Sequence, residues 1–236
     1  MSERQLDILA FGAHPDDVEI GMGGTLALHA QKGYKVGICD LTKADLSSNG
    51  NVELRQKEAK RASVALNLRV RENCGFPDRG LQFTEEKCAV IVDIIREYQP
   101  KVIFVPYDKD RHPDHGDCGH LVDQAYFSAG IKKYTANLNL PSFRPKELYY
   151  YFINGFHNPD FVVNISDVYE KKLAALGAYE SQFEPANGVD TPLTNGYIET
   201  VKSRDRLFGK EINVTYAEGF ITKRPLTLGD IVGGHV

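Results

Sequence analysis

Two copies of one short string, His-Pro-Asp, each follow a strand-sized apolar run, and that arrangement restricts the fold more than any other feature. Leu6 to Ala13 is apolar apart from Asp7 and ends where His14-Pro15-Asp16-Asp17 begins. Lys101 to Val105 reads as a buried strand, Pro106 ends it, and Arg111-His112-Pro113-Asp114-His115 follows a short polar stretch. Helical segments lie between these runs. Val52 to Leu66 places Leu54, Ala62 and Leu66 at helical spacing, with Arg55, Lys57 and Glu58 on other faces. Thr84 to Tyr98 has a capping threonine, Glu85 and Glu86 in its first turn, and Pro100 beyond its end. Gly21 to Gly24 reads as a loop or helix start, and Thr25 to Lys32 as a helix stopped by Gly33. Lys35 to Leu41 and Arg69 to Cys74 read as strands, Thr42 to Asn51 as a loop, and a further helix reaches about Phe127.

Alternating strands and helices predict an α/β, three-layer fold with a mostly parallel sheet and helices on both faces. The active site is then expected at the carboxyl ends of the strands, where loops from different strands converge. After about Gly130 turns and aromatic residues increase, with strands at Leu148 to Ile153 and Phe161 to Val163 and a helix at Val168 to Tyr179. A chain of 236 residues suits one domain of this class. Residues 1–130 are expected to form its core units, and 131–236 to complete the sheet and the pocket rim.

Charge and cysteine usage exclude several partners. Lys and Arg total 28 against 32 Asp and Glu, a formal net charge of -4, and no dense basic run marks a nucleic-acid footprint. No apolar stretch approaches a membrane span, and Met1 to Asp7 has no signal-like apolar region. Cys39, Cys74, Cys88 and Cys118 form no CxxC pair and read as reduced thiols, which gives a cytoplasmic expectation. Cys118 stands close to His115, so its reactivity is a question for the structure.

The strings carry the chemistry. Proline restricts itself and the residue before it, so His14 and His112 each stand before a stiff turn. Pro113 can open a helix, where its missing N–H costs nothing. Two imidazoles and a carboxylate suit a catalytic zinc with an open position, and His14, Asp17 and His115 can supply that set. Asp16 is then free to transfer protons, and His112 to donate a hydrogen bond in protonated form. Asp114 is expected to orient His112 through its other ring nitrogen. Arg55 and Arg111 are the candidate anion clamps. His29 and His120 read as helix residues, and His157, in His-Asn-Pro-Asp, lacks a partner of the kind the strings have. His235 stands near the chain end. Gly21-Met22-Gly23-Gly24 does not make a dinucleotide fingerprint, since position 26 is leucine, and these glycines are read as sites of close packing.

Ala13-His14-Pro15-Asp16-Asp17, the loop from Thr42 to Gly50, Arg55-x-x-Glu58 and Arg111-His112-Pro113-Asp114-His115 together resemble the LmbE-like (PIG-L) de-N-acetylase family. The resemblance spans most of the chain, is strongest in its first half, and is closest to the bacillithiol-pathway branch. It implies a Rossmann-like fold and a hydrolase that takes acetate from N-acetylglucosaminyl-malate, with one zinc per chain or another divalent metal in its place. It implies His14, Asp17 and His115 as ligands, Asp16 as general base, His112 at the oxyanion side, Arg55 on substrate and Arg111 assisting. It also implies a homo-oligomer, often a hexamer. Ala44-Asp45 departs from the glycine and glutamate that many members have there. The rival readings are a deacetylase of simpler N-acetyl sugars or chitin fragments, a non-haem iron oxygenase, which usually has an antiparallel double sheet, and a non-catalytic metal- or sugar-binding module.

Overall fold

The computed structural model describes residues 4–227, so His235 and the Gly-Gly-His end of the chain lie outside the described residues. Among the described residues seven strands form one sheet: β1 (Ile8–Gly12), β2 (Val36–Thr42), β3 (Val70–Phe76), β4 (Val102–Pro106), β5 (Glu147–Tyr151), β6 (Phe161–Asn164) and β7 (Ala217–Thr222). Their order is β3-β2-β1-β4-β5-β7-β6. The first five are parallel, and β7 runs antiparallel to both β5 and β6. Among the described residues seven α-helices accompany them: α1 (Asp17–Gln31), α2 (Val52–Ala65), α3 (Glu85–Tyr98), α4 (Pro113–Ala129), α5 (Tyr169–Gly177), α6 (Glu180–Phe183) and α7 (Tyr197–Glu211). The expected α/β architecture with a mostly parallel sheet and helices on both faces is the one observed. Among the described residues no helix is long and apolar enough to cross a membrane.

Alternation along the strands divides the core in two. Ile8 and Ala10 of β1 pack with residues of α1, α2, α5 and α7, such as Leu26, Ala62, Leu176 and Val201. Leu9 and Phe11 pack on the opposite face with Ile91 and Ile95 of α3 and Leu121 and Val122 of α4. A slip of one residue in the β1 register would exchange these two sets, so burial on both faces fixes the pairing.

The fold differs from the sequence reading in three respects. Gly21 to Gly24 is not a loop: α1 begins at Asp17 and runs to Gln31, with non-helical dihedrals at Met22 (φ -152°, ψ 21°). The glycines let this helix lie directly on the sheet. A Cβ on Gly21 would stand 2.1 Å from Tyr151 Cδ2 and 2.8 Å from Phe152 O. On α2 the buried stripe is Arg55, Glu58, Ala59 and Ala62, whereas Leu54 is 38% exposed. Polar residues occupy that stripe because each has a partner: the Glu58 carboxylate accepts from the N–H and hydroxyl of Ser181 at 2.8 and 2.7 Å. The third difference is α7 and β7, which the patterning above leaves unassigned although Ile198, Val201 and Phe208 stand at helical spacing in α7. The buried Glu218 and Gly219 interrupt what would otherwise be an apolar β7 run.

Gly21→Ala is expected to destabilise the protein by about 1–3 kcal/mol through overpacking. The Tyr151 ring cannot swing aside cheaply, since its hydroxyl is held by Phe11 O at 2.7 Å. A shifted urea midpoint at unchanged m-value measures the loss, and a midpoint equal to that of the parent contradicts it.

Candidate active site

The order of the sheet reverses at β1. The chain lays β2 and β3 on one side of β1, then crosses to place β4 on the other. The crevice beyond the carboxyl ends of β1 and β4 is therefore a topological switch point. The two His-Pro-Asp strings follow those two strands and meet there. Pro113 is in the first turn of α4, and His112 caps that helix by accepting the Asp114 N–H on Nδ1 at 3.3 Å. In the β1 turn Asp17 Oδ2 accepts the His14 N–H at 2.8 Å. Asp16 has φ 128°, a region disfavoured for a residue with a side chain, and such strain persists only where surrounding structure enforces it.

The donor atoms suit a divalent cation. Asp17 bridges the two rings: Oδ2 is 3.5 Å from His14 Nδ1, and Oδ1 is 3.1 Å from His115 Nε2. The far ring nitrogens are engaged by carboxylates. His14 Nε2 stands 3.1 Å from Asp78 Oδ1 and 3.5 Å from Asp114 Oδ2, and His115 Nδ1 stands 2.9 Å from Asp110 Oδ1. Metal-binding histidines are usually held this way, since the outer hydrogen bond sets tautomer and ring orientation. His112 joins the group, with one nitrogen each of His14, His112 and His115 within 4.8 Å of one another. His14, Asp78 and Asp114 form a second grouping of the same closeness, on the Nε2 side of His14.

A cavity of about 490 Å³ opens onto this cluster. His14, Asp16, Asp17, Arg55, Arg111, His112 and His115 all line it, and Asp114 stands behind them, off the cavity surface and 3.5 Å from His14 Nε2. Residues 9–126 match the family described as GlcNAc-PI de-N-acetylase (PIG-L). The chain is 30% identical over 222 residues to the diacetylchitobiose deacetylase of Thermococcus kodakarensis, covering 90% of this chain and 81% of that one. The chain belongs to the PIG-L family. It is also 30% identical over 190 residues to a probable N-acetyl-alpha-D-glucosaminyl L-malate deacetylase 2 of Bacillus cereus, covering 75% of this chain and 84% of that one. Among solved structures, the conserved protein TT1542 of Thermus thermophilus superposes with a TM-score of 0.88 at 37% identity, over 95% of this chain and 97% of that one.

Some side chains of this PIG-L family member do something other than the sequence suggests. Asp114 is fully buried and does not orient the His112 ring. Its carboxylate accepts from Arg79 N and Arg79 Nη1 at 2.8 and 2.7 Å and faces His14, while only its backbone N–H reaches His112. Arg55 is buried, and its Nη1 donates to Asp16 Oδ2 at 2.9 Å and to Pro15 O at 2.5 Å, so much of its fork is already occupied. His112 is not poised to be protonated: burial and the neighbouring His115 and His14 imidazoles hold it below its ordinary value. Because Nδ1 accepts a backbone N–H, the neutral ring carries its proton on Nε2. Burial pushes the Cys118 thiol well up, which leaves little reactive thiolate. His157 packs on Tyr107 and Phe152, and His29 bonds Thr25 O.

Four residues with clear roles in the geometry escaped the sequence reading: Asp78, Arg79, Asp110 and Asn154. Asp78 had a signal, since Pro77-Asp78 follows β3 just as Pro15-Asp16 follows β1. Asp110 stands two residues before His112, and Asn154 Nδ2 donates to its Oδ1 at 2.9 Å.

Electrostatics separates the two adjacent aspartates. Burial opposes ionisation of Asp17, but His115 and His14 outweigh it and hold the carboxyl well below the usual range. Burial pushes Asp16 up to about 7 against the pull of the Arg55 guanidinium. Burial likewise disfavours charge on His115, yet Asp17 and Asp110 raise it to about 9, a sign that this pocket demands positive charge. If this cluster holds a divalent cation, Asp110→Asn is expected to weaken its binding about 10- to 100-fold, with zinc as the probe. Competition with a chromophoric chelator measures it, and an affinity within twofold of the parent would show that His115 does not depend on Asp110.

Proposed function

We propose that this chain is a zinc-dependent de-N-acetylase that hydrolyses the acetamide of an N-acetylglucosaminyl conjugate. The observation that carries the reading is the placement of Asp16 and His112 on one cavity wall beside His14, Asp17 and His115. Those last three would hold the ion, and a bound divalent cation supplies Lewis-acid polarisation and a more acidic water. The other side chains of the wall then divide the proton and charge work. Asp16 takes a proton from the attacking water and later returns it to the departing amine. His112 donates its Nε2–H to the oxygen that gains charge as the carbonyl becomes tetrahedral, and does so as a neutral ring. Arg55 anchors Asp16 and holds the strained turn through Pro15 O.

A cavity of about 490 Å³ is of the size that takes a sugar with one appended group. We read the appended group as malate, in a bacillithiol-type step. Arg111 supports this: it is exposed on the cavity wall and, among the described residues, has no hydrogen bond or ion pair. The second reading is a simple N-acetyl sugar or chitin fragment. It is favoured by the engagement of Arg55, which leaves no free pair of guanidinium groups, and by the relationship to a diacetylchitobiose deacetylase. An oxygenase reading sits poorly on a mostly parallel sheet, and a non-catalytic module has no use for Asp16 and His112 at the same opening.

Asp16→Asn is expected to retain zinc and lose at least about 100-fold in turnover, the usual worth of a positioned base. Near-full acetate release by that variant removes Asp16 from its role. With the base required ionised, kcat/KM should fall as pH drops through the apparent Asp16 pKa. That value lies at or below about 7, since a bound cation adds to the pull of Arg55. Arg55→Met removes a positive charge and so raises the Asp16 pKa, moving the acid limb to higher pH by about one unit. A raised KM with an unmoved limb would instead make Arg55 a substrate clamp. A panel of malate-bearing and malate-free N-acetyl sugars, read by released amine, separates the substrate readings. Arg111→Ala should raise KM for the malate conjugate alone.

A further inference from the structure

The break in α1 is repaired from outside the helix. In an unbroken helix Gly24 N–H would reach Ile20 C=O, four residues back. Met22 departs from helical dihedrals between them, and each group has an outside partner. Ile20 O accepts from Arg204 Nη2 at 2.9 Å. Gly24 N and Thr25 N donate to Glu218 Oε1 and Oε2 at 2.9 and 2.6 Å. Both side chains come from the end of the chain, Arg204 from α7 and Glu218 from β7. Glu218 is balanced by the fully buried Lys172 at 2.7 Å, which also pairs with Asp205 at 2.6 Å.

Arg204 has a second arm. Its Nη1 donates to Ile153 O at 2.7 Å. That carbonyl belongs to the planar Ile153–Asn154 peptide, whose N–H donates to Asp110 Oδ2 at 3.0 Å. Asp110 in turn holds His115 Nδ1 at 2.9 Å. On the other side, Ile20 N–H donates to Asp16 O at 2.9 Å, in the turn that leads into Asp17. One buried guanidinium thus joins the helix start that carries Asp17 to the peptide that supports the Asp110–His115 pair.

We propose that Arg204 is a positioning residue for the metal centre, setting the separation of Asp17 and His115 by bridging Ile20 O and Ile153 O. This rests on the reading of His14, Asp17 and His115 as ligands. Neither carbonyl belongs to a ligand, so the effect is transmitted through backbone. A planar fork with donors on two nitrogens is needed to hold both carbonyls, and a lysine ammonium on a single stem is a poor replacement.

The test uses Arg204→Met and Arg204→Lys in the full chain, with zinc affinity by chelator competition, steady-state kinetics and thermal unfolding of the metal-free protein. Arg204→Met is expected to weaken zinc binding about ten-fold and to lower kcat about ten-fold, with KM within twofold of the parent. Arg204→Lys is expected to fall between the two, and it carries the test alone where the methionine variant does not fold. Zinc affinity and kcat within twofold of the parent, with only a lower Tm, overturns the proposal and leaves Arg204 a splint for stability. A parent chain that neither binds zinc nor releases acetate overturns the functional reading itself, which is a separate result.

Discussion

Buried carboxylates around two imidazoles are the constraint on which the site depends. Asp16 and Asp110 come from the loops after β1 and β4, Asp17 and Asp114 from the first turns of α1 and α4 that follow, and Asp78 from the loop after β3. Asp16, Asp17 and Asp114 are almost entirely removed from water. Carboxylates so placed are costly unless a cation or strong donors meet them. Arg55 meets Asp16, Arg79 meets Asp114, and the His14 and His115 rings meet the rest. The imidazoles can balance the carboxylates only by gaining protons, and both are raised toward doing so against the cost of burial. A divalent cation between Asp17 and the two rings would supply the same charge and leave each outer N–H on its carboxylate.

Strand order makes this concentration possible. Because β1 lies between β2 and β4, with β3 one strand further out, loops separated by as many as a hundred residues open into one crevice. The later part of the chain then fastens it. Ser181 on α6 binds Glu58 of α2, Tyr197 of α7 donates to Ile153 O and Asn154 Oδ1, and Asn49 clasps Val189 through both its amide groups. The outer cavity wall, including Thr191 and Leu193, is thereby tied to the loop after β2.

What was legible in the sequence follows from where each signal resides. Periodicity and caps are local, so β1, β2, β4, α3 and the Pro113 start of α4 could be read directly. The residues of the two strings could be grouped because each string stands at a strand end. Partners are not local. Whether Arg55 and Glu58 are buried depends on Asp16 and Ser181, which strand order and the α6 turn bring near, so α2 shows its polar stripe inward and Leu54 outward. For the same reason the Asp114 carboxylate went to Arg79, a residue beyond β3, and not to His112 two residues before it. The antiparallel β7 could not be recognised from an apolar run because its buried glutamate serves α1.

Asp16 and Asp17 show how far environment outweighs identity. They are adjacent and almost equally buried, at 4% and 3% exposure, so desolvation raises both. Their partners differ. Asp17 meets two imidazoles and is kept ionised, the form a carboxylate needs if it is to hold a metal. Asp16 meets one guanidinium that is shared with Pro15 O and Ser47 Oγ, so less compensation reaches it and it stands near neutrality. Pairs of carboxyl groups pushed apart in this way divide into a permanently charged member and a proton carrier. The turn between them and β1 is held in place from both sides, since Asp16, at a disfavoured φ of 128°, accepts the Ile20 N–H on its carbonyl and the Arg55 guanidinium on its carboxylate.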